Sequence, residues 1–176
     1  MLSCAFFGHR SYNYEPYKDK LKEIVVDLIG RGVTDFYIGG RGFFDSLCAK
    51  TVHELKKEYP HIKSILVLSY IPDKNFQLSP NYDESVYLLQ KRVPYQYAIL
   101  QTNREIVKIV NYVVSGVVYP WGGAKTACDY AKKLNRTMFN VVDGSSYCDF
   151  DYEIIVDDQK GTIKKVKKSR EELFKS

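Results

Sequence analysis

No apolar stretch in this 176-residue chain approaches the ~20 residues that span a bilayer, and the first residues lack the basic-then-apolar pattern of a secretory leader. A soluble, cytoplasmic protein with no membrane partner is therefore expected. Cysteine is sparse: Cys4, Cys48, Cys128 and Cys148 form no CxxC pair and show no metal-ligand spacing. They read as reduced thiols, mostly in the core, and no metal site is expected. Solenoid repeats and low-complexity linkers are missing too. Neither the GxGxxG fingerprint nor the Walker lysine pattern occurs, which argues against NAD-dependent hydride transfer and against ATP hydrolysis.

What is present is an ordinary globular balance, 45% hydrophobic and 27% charged, in a length that suits one substantial core. Aromatics are plentiful, with 15 Tyr and 9 Phe, enough to line a pocket as well as fill an interior. The net charge of +5 is uneven. Residues 160–175 carry seven Lys or Arg against two Glu. A basic tail of this kind is either a solvated end or a contact for nucleic acid or acidic lipid, the solvated end being the simpler reading.

Taken in order, residues 2–7 read as a buried strand that ends in the turn GHRSYN. Residues 17–29 carry Leu21, Ile24, Val25, Leu28 and Ile29 at helical spacing. A second strand at 35–38 runs into Gly39, Gly40, Arg41 and Gly42, followed by a helix over 43–59. Residues 62–71 are almost wholly apolar, as in a parallel strand covered on both faces. Residues 72–94 show no regular period and read as a flap with at most a short helix. A helix over 97–110 leads into the run YVVSGVVYPWGGAKTACDYA at 112–131, which is strand, glycine turn and helix in succession. A fifth strand at 137–142 and a terminal β-hairpin at 152–156 and 162–166 complete the pattern. The fold class predicted is α/β: a Rossmann-like, doubly wound, mostly parallel sheet of about five strands with helices on both faces, plus a C-terminal β-hairpin. Residues 1–145 form the nucleotide-binding domain of this reading, and 146–176 the hairpin and basic tail.

In such a sheet the carboxyl ends of the strands share one edge, so three loops meet there. They bring Gly8, His9 and Arg10, then Gly39, Gly40, Arg41, Gly42 and Asp45, then Trp121, Gly122, Gly123, Ala124, Lys125 and Thr126. Backbone N–H groups at helix starts, flanked by cations, suit phosphate, so a nucleotide-like ligand is expected with no further cofactor required. Asp45 suits either a ribose hydroxyl or a helix cap. Trp121 or Tyr70 offers a stacking surface for a base. Arg104 reads on periodicity alone as a surface partner of Glu105 or Asp129.

With the loops placed, the chain resembles the SLOG superfamily of Rossmann-like proteins, most closely its YpsA-like branch. The matching pieces are CAFFGHR, FYIGGRGFFD, TNREIVKIVNYVV and WGGAKTACDYAKK, within residues 4–142. The resemblance implies a nucleotide-related ligand in a glycine-lined crevice, and often self-association. SLOG relatives include the Lonely Guy phosphoribohydrolases, which cut the N-glycosidic bond of nucleoside monophosphates, and DprA-type and sensor-type members that bind nucleic acid or nucleotide-derived signals. The enzymes carry PGGxGTxxE and an upstream catalytic arginine. Here Arg104 matches that arginine, Gly122 and Gly123 the glycine pair, and Thr126 the threonine, whereas Asp129 replaces the glutamate, Trp121 the proline and Lys125 the third glycine. Three readings follow: a binding or sensor domain, a phosphoribohydrolase using Arg104 and Asp129, and a nucleic-acid-associated regulatory protein.

Overall fold

The computed structural model describes residues 1–142 and the backbone of two later strands. Six parallel strands form the main sheet: β1 (Leu2–Gly8), β2 (Val33–Ile38), β3 (Lys63–Leu68), β4 (Glu84–Tyr87), β5 (Tyr112–Gly116) and β6 (Thr137–Asn140). Their order is β4-β3-β2-β1-β5-β6, so the winding reverses between β1 and β5. Four helices connect them: α1 (Lys18–Gly30), α2 (Phe43–Leu55), α3 (Ala98–Ile109) and α4 (Gly123–Lys133).

Alternation along β1 shows how one strand serves two cores. Cys4 and Phe6 join the cluster beneath α1 and α2, with Leu21, Leu28, Phe36, Phe44 and Val52. Ala5 and Phe7 join the opposite cluster beneath α3 and α4, with Ile106, Val107, Val113, Ala127 and Met138. Burying each large side chain stabilises the fold by roughly 1.5–3 kcal/mol before chain entropy is counted. Cys4, Cys48 and Cys128 are buried free thiols, and burial pushes each thiol up, Cys128 to about 12. They are inert core residues at neutral pH.

The sheet has six strands where about five were expected. The addition is β4, which lies inside the stretch read as a flap. It is an edge strand of four residues, three of them exposed, so neither alternation nor an apolar run marks it. Asp83 docks it instead: its N–H donates to the Ser64 carbonyl at 2.9 Å, and its Oδ2 accepts from the Ser64 N–H at 2.8 Å. The Ser64 hydroxyl in turn donates to the Asn81 carbonyl at 2.6 Å. Lys56 pairs with Asp83 from α2, which stops at Leu55 rather than reaching residue 59. The expected hairpin is present as β7 (Tyr152–Asp157) antiparallel to β8 (Thr162–Lys167). The turn expected at 143–146, the helical turn expected at 170–174 and the tail after residue 167 lie outside the described residues. Among the described residues no helix is long and apolar enough to cross a membrane.

The reversal has a geometric consequence. The β1–β2 and β2–β3 connections are α1 and α2, which cover one face of the sheet. On the other face, α3 and α4 must cover everything, and both return towards β5 and β6. The upper parts of β2 and β3 are left beside α3 with a gap over them.

Candidate functional site

That gap is a cavity of about 270 Å³ at the carboxyl edge of the sheet. Its floor is the last turn of β1, Ala5 to Gly8, continued by Tyr37 and Val67. Ile99, Asn103 and Ile106 of α3 form one wall. The rim holds His9, Arg10, Gly39, Arg41, Asp45, Gly122, Gly123 and Ala124. The inner half is thus largely apolar and the rim polar and cationic.

The rim is built from loops that lean on one another. Both α2 and α4 are entered through a glycine, Gly42 at φ +92° and Gly122 at φ +96°, a region that side chains rarely adopt. At Gly42 a Cβ would also lie 2.4 Å from the Arg10 Cα, because the two loops touch backbone to backbone. The Phe43 N–H donates to the Arg10 carbonyl at 2.9 Å, which uses one of the free groups of α2. Asp45, the third residue of that helix, reaches back so that its Oδ2 accepts the Arg41 N–H at 2.8 Å. The Arg41 guanidinium donates to the Ser69 hydroxyl at 2.8 Å. Burial pushes the Asp45 carboxyl up to about 6 despite the Arg41 N–H bond and the Arg41 and Arg10 charges.

Like α2, α4 has no side-chain cap, but among the described residues no carbonyl of another loop accepts from its first turn as Arg10 does from Phe43, so its first-turn N–H groups are left for solvent or ligand. The loop before it is held by His9, whose Nε2 accepts from the N–H groups of Val118 at 3.0 Å and Tyr119 at 3.1 Å. An Nε2 that accepts two bonds carries no proton, so the neutral ring bears its hydrogen on Nδ1. Burial lowers the His9 pKa in keeping with that neutral state. The His9 ring packs against Tyr119 at 4.8 Å, and Tyr119 stacks on Trp121 at 5.3 Å.

Sequence reasoning missed Tyr14. Its hydroxyl accepts the His9 N–H at 2.8 Å and donates to the Gly116 carbonyl at 2.5 Å, tying the ends of β1 and β5 together at the reversal. Gly8 and Gly116 are register partners there, and both are needed for packing. A Cβ on Gly8 would lie 2.2 Å from Phe44, and one on Gly116 2.6 Å from Tyr14. Tyr14 directly follows the GHRSYN turn, and nothing in the sequence marks it out from Tyr12 or Tyr17. Asn103, Ile99 and Ile106 were also missed as lining residues, although their helical spacing already placed them on one stripe.

Of the residues expected at the site, Gly8, His9, Arg10, Gly39, Arg41, Asp45, Gly122, Gly123 and Ala124 line the cavity. Gly40 and Gly42 shape the loop behind it, and the remaining residues lie apart. Trp121 is 55% exposed beside Tyr119. The Thr126 hydroxyl turns back to the Gly122 carbonyl at 3.1 Å, and Lys125 pairs with Asp129. Arg104 is exposed and lies over the Tyr130 ring at 5.8 Å. Tyr70 stacks on Tyr95 at 4.5 Å. Among the described residues no group of three His, Cys, Asp or Glu could hold a metal ion.

No protein-family model matches the chain, and no curated protein matches its sequence. Solved structures share its fold. DNA processing protein A from Streptococcus pneumoniae superposes with a TM-score of 0.59 at 15% identity, covering 80% of this chain and 50% of that one. The same protein from Helicobacter pylori, studied for its single-stranded DNA binding mode, gives 0.55 at 16% identity, covering 79% and 64%. The molybdenum cofactor carrier protein of Chlamydomonas reinhardtii gives 0.51 at 14% identity, covering 80% and 76%. The chain thus spans half to two-thirds of the length of the DNA processing proteins it matches. At these identities the likeness is one of fold. The chain has a Rossmann-like architecture in common with these proteins.

Proposed function

We propose that this chain binds a nucleotide or nucleotide-derived molecule in the crevice between β1 and β5, as a sensor or regulatory domain of the YpsA-like SLOG branch, with no further cofactor. The observation that carries this reading is the polarity of the cavity. Arg10, Arg41 and the uncapped start of α4 ring its mouth, while Val67, Ile99 and Ile106 line its interior. A nucleotide has the matching polarity, an anionic phosphate at one end and a flat, weakly polar base at the other. The fold is also one on which neighbours are described as binding single-stranded DNA or carrying the molybdenum cofactor.

Binding without turnover is favoured over hydrolysis. Glycosidic cleavage needs a carboxylate at the anomeric carbon. Asp129 is instead exposed and paired with Lys125, and Arg104 lies over Tyr130 outside the cavity lining. Self-association rests on the family resemblance alone. The test is a thermal-shift screen of nucleoside mono-, di- and triphosphates, ADP-ribose, NAD and cyclic nucleotides, with chromatography of each hit for free base. A ligand at about 100 times its Kd stabilises by ~2.7 kcal/mol, well within detection. The expected result is a shift without released base, unchanged in Asp129→Asn. Released base that disappears in Asp129→Asn establishes the hydrolase reading instead. Silence towards all these compounds, with oligonucleotide binding that falls steeply with salt, moves the function to nucleic acid.

A further inference from the structure

The wall contributed by α3 contains one residue that the fold does not explain. Ile99, Asn103 and Ile106 occupy a single stripe facing the cavity. The two isoleucines continue the apolar surface of Tyr37 and Val67. Asn103 interrupts it. Its neighbours on the helix are satisfied: the Thr102 hydroxyl donates to the Ala98 carbonyl at 2.7 Å, and the Gln101 amide donates to Glu105 at 2.8 Å. The half-buried Asn103 amide takes part in no hydrogen bond among the described residues. Solvent reaches that amide, since among the described residues only the Ser115 hydroxyl is fully buried without a partner. Asparagine is nonetheless a poorer helix former than leucine, and an apolar residue would complete the stripe.

Its depth gives the position meaning. α3 follows β4, starts at the carboxyl edge of the sheet and runs back towards the start of β5, so successive turns descend from the rim. Four residues of helix rise ~6 Å, which sets Asn103 about one turn below Ile99. The cationic groups stay above it, with Arg10, Arg41 and the first turn of α4 at the mouth.

On the nucleotide reading above, we infer that the ligand enters base first, and that Asn103 is the residue that reads the base. The carboxamide offers one donor and one acceptor side by side. It pairs with a nucleobase edge that presents the complementary acceptor and donor, as asparagine does with adenine in nucleic acids. The phosphate stays at the mouth, and neither the exposed Trp121 nor Tyr70, stacked on Tyr95, is the base platform.

The test is calorimetric titration of wild type, Asn103→Leu and Asn103→Ala with AMP, GMP, CMP, UMP and ribose 5-phosphate, alongside their melting temperatures without ligand. Wild type is expected to prefer at least one nucleoside monophosphate over ribose 5-phosphate. Both variants should lose that preference roughly 10-fold or more, the worth of a bidentate amide pair, with ribose 5-phosphate binding unchanged. Without ligand, Asn103→Leu should melt at or above wild type, because leucine completes the stripe. A preference that survives in both variants overturns the inference and leaves the nucleotide reading standing. A fall of several degrees in both variants also overturns it, by making Asn103 structural. If wild type binds none of the four nucleotides, the underlying reading itself fails.

Discussion

Asp45 allows a quantitative test of how the rim is built. It is 8% exposed, receives one N–H bond from Arg41, and sits in a cavity edge that raises its pKa from the ordinary 3.8 to about 6. The cause is loss of water around the charged form; the Arg41 bond and the Arg41 and Arg10 charges offset only part of it. At ~1.4 kcal/mol per pH unit, folding with Asp45 ionised is about 3 kcal/mol less favourable than folding with it protonated. Because the folded pKa lies above the unfolded one, this contribution favours folding fully below about pH 4 and is lost as pH rises through about 6. Asp45→Asn keeps an oxygen that can accept the Arg41 N–H and removes the charge. At pH 8 the variant should be more stable by up to about 3 kcal/mol, a rise in Tm of roughly 6–12 °C for a chain of this size. The advantage should shrink towards zero as pH approaches 4. Urea unfolding at pH 4.5, 6 and 8 measures it. A variant less stable than wild type by the same amount at all three pH values would refute the reasoning, since the carboxylate would then be wanted for shape rather than tolerated as a charge.

The strand reversal and the α4 loop give two further expectations. Gly116→Ala should cost about 1–3 kcal/mol by overpacking, because its Cβ would press on Tyr14 at 2.6 Å and Phe44 at 2.8 Å; denaturant stability equal to wild type would show that this junction is loosely packed. His9→Ala should cost about 1–3 kcal/mol by stranding the Val118 and Tyr119 N–H groups, and His9→Gln, whose Oε1 can take the place of Nε2, should recover part of it. In ¹⁵N spectra the His9 ring should show a protonated Nδ1 and a bare Nε2. Its lowered pKa also has a sign opposite to that of Asp45: the unfolded imidazole takes up its proton first, so this contribution falls as pH drops below about 6.5. An Nε2–H tautomer at neutral pH would remove the proposed hold on the loop.

Most of the architecture could be read from pattern because its strands are buried on both faces and its helices carry one apolar stripe each. What escaped did so for identifiable reasons. β4 is short, polar and at an edge, and it is fixed by the Asp83–Ser64 pairing across 19 residues, which no local period records. The glycine loops were recognisable, yet their glycines divide between two duties. Gly122 and Gly123 face the crevice, whereas Gly42 makes room for a neighbouring backbone and Gly8 and Gly116 for Phe44 and Tyr14. One residue further along a helix turns a side chain by about 100°. The resemblance drew attention to Arg104, and the cavity is lined instead by its neighbour Asn103. Lys125 and Thr126 were read as ligand groups from composition, but helix geometry brings them within reach of Asp129 and Gly122, four residues away and four residues back.

The fold by itself does not choose a ligand, since neighbours of the same architecture are described with a DNA strand or a metal-bearing cofactor. What distinguishes this crevice is the set of groups that face it. The free first-turn N–H groups of α4, the Asp45 carboxyl, whose pKa burial raises, and the solvent-reached Asn103 amide border one 270 Å³ cavity. A single bound molecule can partner all three. On that account the ligand should do more than occupy the space. It should satisfy the α4 N–H groups with an anion, meet Asp45 with a hydroxyl and meet Asn103 with a donor–acceptor edge, a combination that a phosphorylated nucleoside carries in one molecule.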